Sequence, residues 1–214
     1  MADKSAEGTL IDSRVAQVFA LVSEALAGAT HALLSGDTAT GQAIIDSDKT
    51  IDQMTQELTG LIWQRVESGA AESAELRRLV GVLLILPELE RSADLGEHIA
   101  QRAVAHLGRD MSPLSRGLVQ RMSEVALEMW RAVADAYARS AQQGIALNEA
   151  DEELDELHER LTLEVANGTM TASVASQVTL VARFYERLGD HAVNLARRID
   201  ALHRRGDGTS ISLA

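Results

Sequence analysis

The chain has 214 residues, 46% of them apolar but only 3% aromatic, with two prolines, no cysteine and a formal net charge of −12. That charge argues against nonspecific nucleic-acid binding, which needs clustered basic side chains, and against attachment to an anionic membrane surface; the missing cysteines exclude disulfides and thiolate metal sites. With so few aromatics, Ala, Leu and Val must do the packing, and the apolar periodicity is helical rather than alternating, so the chain is predicted to be all-α.

In chain order, residues 1–11 are small and polar and read as a frayed start. A first helix is expected over 13–34, with Ser13 as N-cap, Val15, Val18, Leu21, Val22, Leu26 and Leu33 inward, and Gly36 as its stop. A second is expected over 38–67, burying Ile44, Ile51, Leu58 and Ile62, with Asp48 and Asp52 at the edge of that seam. After a turn at 68–71, a third helix over 73–107 begins apolar on every side, carries Pro87, and then presents Glu90, Asp94 and His98 one turn apart. Its dense patch, LVGVLLIL over 79–86, is too short to span a bilayer. The N-terminus also lacks a leader pattern, so a cytoplasmic protein without direct membrane insertion is expected.

Residues 108–113 have linker chemistry and divide the chain nearly in half. A fourth helix over 114–142 places Leu118, Met122, Val125, Met129 and Val133 inward and ends at Gln143-Gly144. A fifth over 149–166 buries Leu154, Leu157, Leu161 and Val165 and carries Asp151 and Asp155. The sixth, over 172–204, has two faces. Val181, Tyr185, Leu188, Ala192, Leu195 and Ile199 line one; Glu186, Asp190 and Asn194 form a stripe roughly opposite. Residues 206–214 read as a loose tail.

Glu186 and Asp190 have an echo 96 positions earlier, at Glu90 and Asp94, and Asp151 and Asp155 have one 103 positions earlier, at Asp48 and Asp52. Four acidic pairs at i,i+4 spacing, two per half in the same order, indicate one helical unit used twice. Carboxylates one turn apart repel by about 0.2–0.5 kcal/mol on a bare helix, so a bound cation is a natural compensation. The expected architecture is six helices in two tandem three-helix-bundle repeats, 12–107 and 113–204, with pseudo-twofold symmetry. Asp52 should then lie near Asp94, and Asp155 near Asp190.

From Glu186 to Ala196 the chain reads E-R-L-G-D-H-A-V-N-L-A, which resembles the signature of the PhoU family. The likeness extends over about 12–204. It is looser in the first half, where Ser92-Ala93 stands for the apolar-Gly pair and Gly96-Glu97-His98 for Ala-Val-Asn. The resemblance implies two three-helix repeats with metal clusters at the E/D-x-x-x-D motifs. The implied metal residues are Asp48, Asp52, Glu90, Asp94, Asp151, Asp155, Glu186 and Asp190, holding a divalent or trivalent ion (Fe, Zn, Mg or Mn). On motif quality the second-repeat site is expected to be the stronger.

The resemblance further implies a negative regulator of phosphate uptake and phosphate-starvation signalling, not an enzyme. Its implied partners are the ATPase subunit of a phosphate ABC transporter and a sensor histidine kinase, and a homodimer is compatible with it. Two other readings are a metal-dependent helical-bundle enzyme and a helical adaptor without metal. Against the enzyme, no E-x-x-H, Gly-rich phosphate loop, G-x-S-x-G or cysteine occurs, and the stripe on the sixth helix is expected to face away from any desolvating surface. His98 and His158 could each ligate and His191 could sit in an outer shell or on the surface, but a plain solvated histidine is the better reading for each. His31, His106 and His203 have no partner that recommends them.

Overall fold

The computed structural model describes residues 2–69, 71–139 and 147–204, which form helices throughout. Three long helices, α1 (Ala2–Ser35), α2 (Thr38–Glu67) and α3 (Ser73–Val104), pack on one another. Three more, α5 (Pro113–Arg139), α6 (Asn148–Asn167) and α7 (Ala172–Arg204), repeat the arrangement. The two units meet through α1 on α5 and α3 on α7, leaving α2 and α6 on the outside. The bounds of α2 and α7 agree with the sequence periodicity.

Two boundaries differ from the sequence reading. The first helix does not begin at Ser13; it continues back to Ala2, and Ile11 is only 3% exposed. Arg78 on α3 bonds Asp12, as does the Tyr137 hydroxyl at 2.9 Å, so neighbouring helices hold turns that the local sequence would leave frayed. The linker at 108–113 is not all loop. The third helix stops at Val104, His106 takes φ 62°, and a seventh, four-residue helix α4 (Leu107–Asp110) follows before α5. Gly108 lies so close to the end of α1 that an added Cβ would sit 1.8 Å from the Leu33 carbonyl oxygen. The expected break at Gln143-Gly144, the end of the fourth helix at 142 and the C-terminal tail lie outside the described residues.

Local chemistry explains the remaining ends. Asp37 caps α2 by accepting from the Ala39 and Thr40 amides, and Gly36 ends α1 with φ 77°. α1 from Gly8 to Ser35 is long and apolar enough to cross a membrane by length and composition. In this fold it is a core helix, with Val15, Val18, Phe19, Val22, Leu26 and Leu33 buried. A hydroxyl cluster ties the repeats at their centre. Thr30 Oγ1 of α1 lies 2.8 Å from Ser123 Oγ of α5 and 2.6 Å from Tyr185 Oη of α7, all buried, so polar groups that would be costly alone satisfy one another.

α3 and α7 cross antiparallel: Gly81 abuts Leu202, Ser92 bonds His191, and His98 stacks near Phe184. The pairs along this seam exchange under the 96-residue offset. Arg198 bonds Glu88 at 2.9 Å at one end, and at the other Arg102 lies 4.7 Å over the Phe184 ring. Position 88 maps onto 184 and 102 onto 198, as a pseudo-twofold axis through the seam requires.

Candidate metal centres

α2 and α3 bring the first-repeat carboxylates together. Asp48 and Asp52 flank the buried seam of α2, and Glu90 and Asp94 stand on the facing side of α3. One carboxylate oxygen from each of Asp48, Asp52 and Asp94 lies within 4.8 Å of the others. Asp52 is thus near Asp94, as the repeat argument required. The Asp48 Oδ1 atom is buried and has no hydrogen-bond partner. Burial first, and then the charges of Asp52, Glu97, Asp94 and Glu90, push the Asp48 carboxyl up to about 6. Glu90 and Asp94 are also raised, burial being the main cause and Asp52 the next.

The second repeat assembles its group between α6 and α7. Burial and then the charges of Asp155 and Asp190 raise the Asp151 carboxyl, so these three share one neighbourhood. Gly189 is what lets α6 come this close: a Cβ there would meet Leu154 Cδ2 at 2.6 Å and Asp151 Oδ1 at 3.3 Å. Glu186 differs from the sequence reading. Asp190 and Asn194 of its stripe are exposed, but α6 packs beside Glu186, which is half-buried, and its Oε2 is buried without a partner. Burial therefore raises the Glu186 carboxyl, against the expectation that this face escapes desolvation. Arg183 Nη1 donates to Glu186 Oε1 at 2.5 Å and partly offsets the effect. Among the described residues, no three carboxylates of this repeat converge as closely as Asp48, Asp52 and Asp94.

The donor set is chemically suited to a hard cation. Every candidate atom is a carboxylate oxygen, and each cluster holds one buried oxygen that no protein group satisfies. A bound ion would supply a positive charge where the fold has concentrated negative ones. Asp48, Asp52, Glu90 and Asp94 would hold it in the first repeat; Asp151, Asp155, Glu186 and Asp190 would do so in the second.

The histidines divide. His98 continues the first stripe, but its ring lies 5.5 Å from Phe184 across the seam. His191 is part of the seam too: its Nδ1 lies 2.8 Å from Ser92 Oγ, and burial lowers its pKa. His158 is close enough for its charge to act on Glu186. Sequence reasoning missed Glu97, whose charge acts on Asp48 and Asp94, although its i,i+3 spacing from Asp94 on one helix face was a usable signal. It also missed the Ser92–His191 and Glu88–Arg198 pairs, which no local pattern encodes because their partners lie about a hundred residues apart.

These features define a class: tandem three-helix bundles with an acidic pair on two helices of each repeat. The chain matches the family model described as "PhoU domain" over residues 15–103 and again over 119–199, and it belongs to the PhoU family. A relative from Rhizobium meliloti, "Phosphate-specific transport system accessory protein PhoU homolog", is 29% identical over 192 residues, covering 87% of this chain and 81% of the relative. A relative from Mycobacterium tuberculosis, "Phosphate-specific transport system accessory protein PhoU homolog 2", is 25% identical over 193 residues, covering 88% and 91%. The crystal structure of PhoU from Pseudomonas aeruginosa superposes with a TM-score of 0.85 at 24% identity, over 94% of this chain and 99% of that one. The PhoU structure from Streptococcus pneumoniae does so with a TM-score of 0.80 at 19% identity, over 95% and 97%. A role associated with phosphate transport follows from the family.

Proposed function

We propose that this protein is a cytoplasmic negative regulator of phosphate uptake and phosphate-starvation signalling, without enzymatic activity of its own. It acts by contact between the ATPase subunit of a phosphate ABC transporter and a sensor histidine kinase. The observation that carries this reading is the double match to the PhoU domain over nearly the whole chain, together with relatives named as accessory proteins of phosphate-specific transport. The repeats, 12–107 and 113–204, serve as two similar docking faces, and a homodimer is compatible with them. The eight carboxylates named above hold Fe, Zn, Mg or Mn and shape those faces.

The physical chemistry supports contact as the mode of action. A net charge of −12 steers the protein toward basic surfaces, so association weakens with added salt. An interface of ordinary size covers about 800 Å² of each partner. Deleting the gene should switch on a phosphate-starvation reporter in phosphate-rich medium. A silent reporter in the deletion strain, with no second copy present, would overturn the regulatory reading and leave the fold untouched. Partial induction by an Asp94→Ala, Asp190→Ala variant would tie the metal sites to regulation; none would favour an adaptor that works without metal.

A further inference from the structure

The two ends of the α3–α7 seam are built differently. At one end an open groove of about 440 Å³ runs between the first half of α3 and the end of α7. Leu76, Val80 and Leu84 of α3 and Leu202 of α7 line it, with Arg77 and Arg198 at its rim. Val80 and Leu84 are 53% and 54% exposed, so two large apolar side chains one turn apart face solvent. Gly81 makes the floor: an added Cβ would sit 1.7 Å from Leu202 Cδ2, so a side chain there would lift α7 off α3. The 96-residue offset carries Leu76, Val80, Gly81 and Leu202 onto Ala172, Ser176, Gln177 and His106, so the opposite end has no apolar counterpart. There the chain leaving α3 turns straight back as α4, which packs against α1, α3 and α7. The same offset carries α4 onto positions 203–206, where the chain leaves α7.

We propose that the segment 206–214, which lies outside the described residues, folds back onto this groove and seats Ile211 and Leu213 against Val80 and Leu84. The segment is placed for it, because it follows Arg204, the end of α7, only two positions beyond Leu202 in the groove wall. Gly206-Asp207-Gly208 has the turn chemistry that a reversal needs. An extended chain advances about 3.3 Å per residue, so Thr209 to Leu213 matches the roughly 12 Å of α3 between Leu76 and Leu84. Ile211 and Leu213 are two positions apart and share one face of an extended segment, with Ser210 and Ser212 on the other. Covering Val80 and Leu84 with these two side chains removes apolar surface from water on both partners. Asp207 is the segment's one charged side chain and is opposite in sign to Arg77 and Arg198 at the rim. The inference is independent of the metal and regulatory readings.

The test is nuclear Overhauser spectroscopy on the full chain, with Ile, Leu and Val methyl groups labelled in a deuterated background. Cross-peaks are expected from the Ile211 and Leu213 methyls to those of Val80 and Leu84. A chain stopped after Arg205 should lose them and shift the Val80 and Leu84 resonances. The full chain with Ile211→Asp and Leu213→Asp should shift those resonances to the same positions. Leu114 and Leu163, exposed on a different groove between α5 and α6, should stay in place in both variants. Circular dichroism melts confirm that each variant is folded. Absent cross-peaks, or Val80 and Leu84 resonances that do not move on truncation, would overturn the proposal. Cross-peaks found only between differently labelled copies in a mixed sample would give the groove to a second copy's segment and overturn it as well.

Discussion

The first and second repeats share a helical skeleton and spend their differences on one seam and two clusters. In the second repeat the family motif is intact: Gly189 admits α6, Arg183 pairs with Glu186, and Phe184 sits under Arg102. In the first, Ala93 replaces the glycine, Glu88 replaces the phenylalanine and pairs with Arg198, and Glu97 stands at the position of Val193. The cluster with the weaker motif nevertheless has the more tightly converged oxygens. Motif quality measures resemblance to relatives, whereas cation affinity depends on charge count and geometry, and the two need not run together.

The largest expected effect breaks the first cluster. Asp48→Asn with Asp94→Asn should weaken Mn²⁺ binding there about 100-fold, on the order of 3 kcal/mol, as measured by calorimetric titration against the unmutated chain. The next divides the seam. Glu88 is 5% exposed and holds Arg198, so Glu88→Ala should cost about 2 kcal/mol in urea unfolding. Arg102→Ala, which removes a guanidinium over a ring and its hydrogen bond to the His98 carbonyl oxygen, should cost about 1 kcal/mol. Equal costs would show that the two ends of the seam are energetically alike despite their chemistry.

A pH titration sharpens the contrast. The Asp48 carboxyl is raised from 3.8 to about 6 in the fold, so the folded state favours its neutral form. Without metal, its contribution to stability is best below the unfolded value and declines as pH rises between these two values. With metal the sign reverses, because the cation needs the ionised form. First-site affinity should therefore fall as pH drops through about 6, and Asp48→Asn should weaken that dependence without abolishing it, because the raised Glu90 and Asp94 carboxyls must also ionise. The smallest effect belongs to Gly189→Ala. Overpacking against Leu154 outweighs the gain in helix propensity by about 1 kcal/mol, and thermal unfolding together with weaker second-site binding should report it.

Much of this architecture was legible before any coordinates. The i,i+4 acidic pairs and their offsets of 96 and 103 placed Asp52 beside Asp94 and set the repeat, because helical periodicity is a local property that sequence states directly. The start of α1 was not legible. Residues 2–12 form helix where neighbouring helices supply partners such as Arg78 and Tyr137 for Asp12, and Ser13 only looks like a cap. Desolvation of Glu186 was hidden for a related reason, since a helical wheel shows which face is polar but not which neighbour covers it. The Ser92–His191 bond joins two positions that each depart from an apolar pattern, and only the α3–α7 crossing explains why both are polar.

Elemental analysis of the protein purified without a metal-affinity tag tests the account most directly. The unmutated chain should retain Fe, Zn, Mg or Mn, and Asp94→Ala with Asp190→Ala should lose nearly all of it while keeping the helical circular dichroism of the parent. Equal metal content in the parent and this double variant would contradict the assignment of either cluster as a cation site.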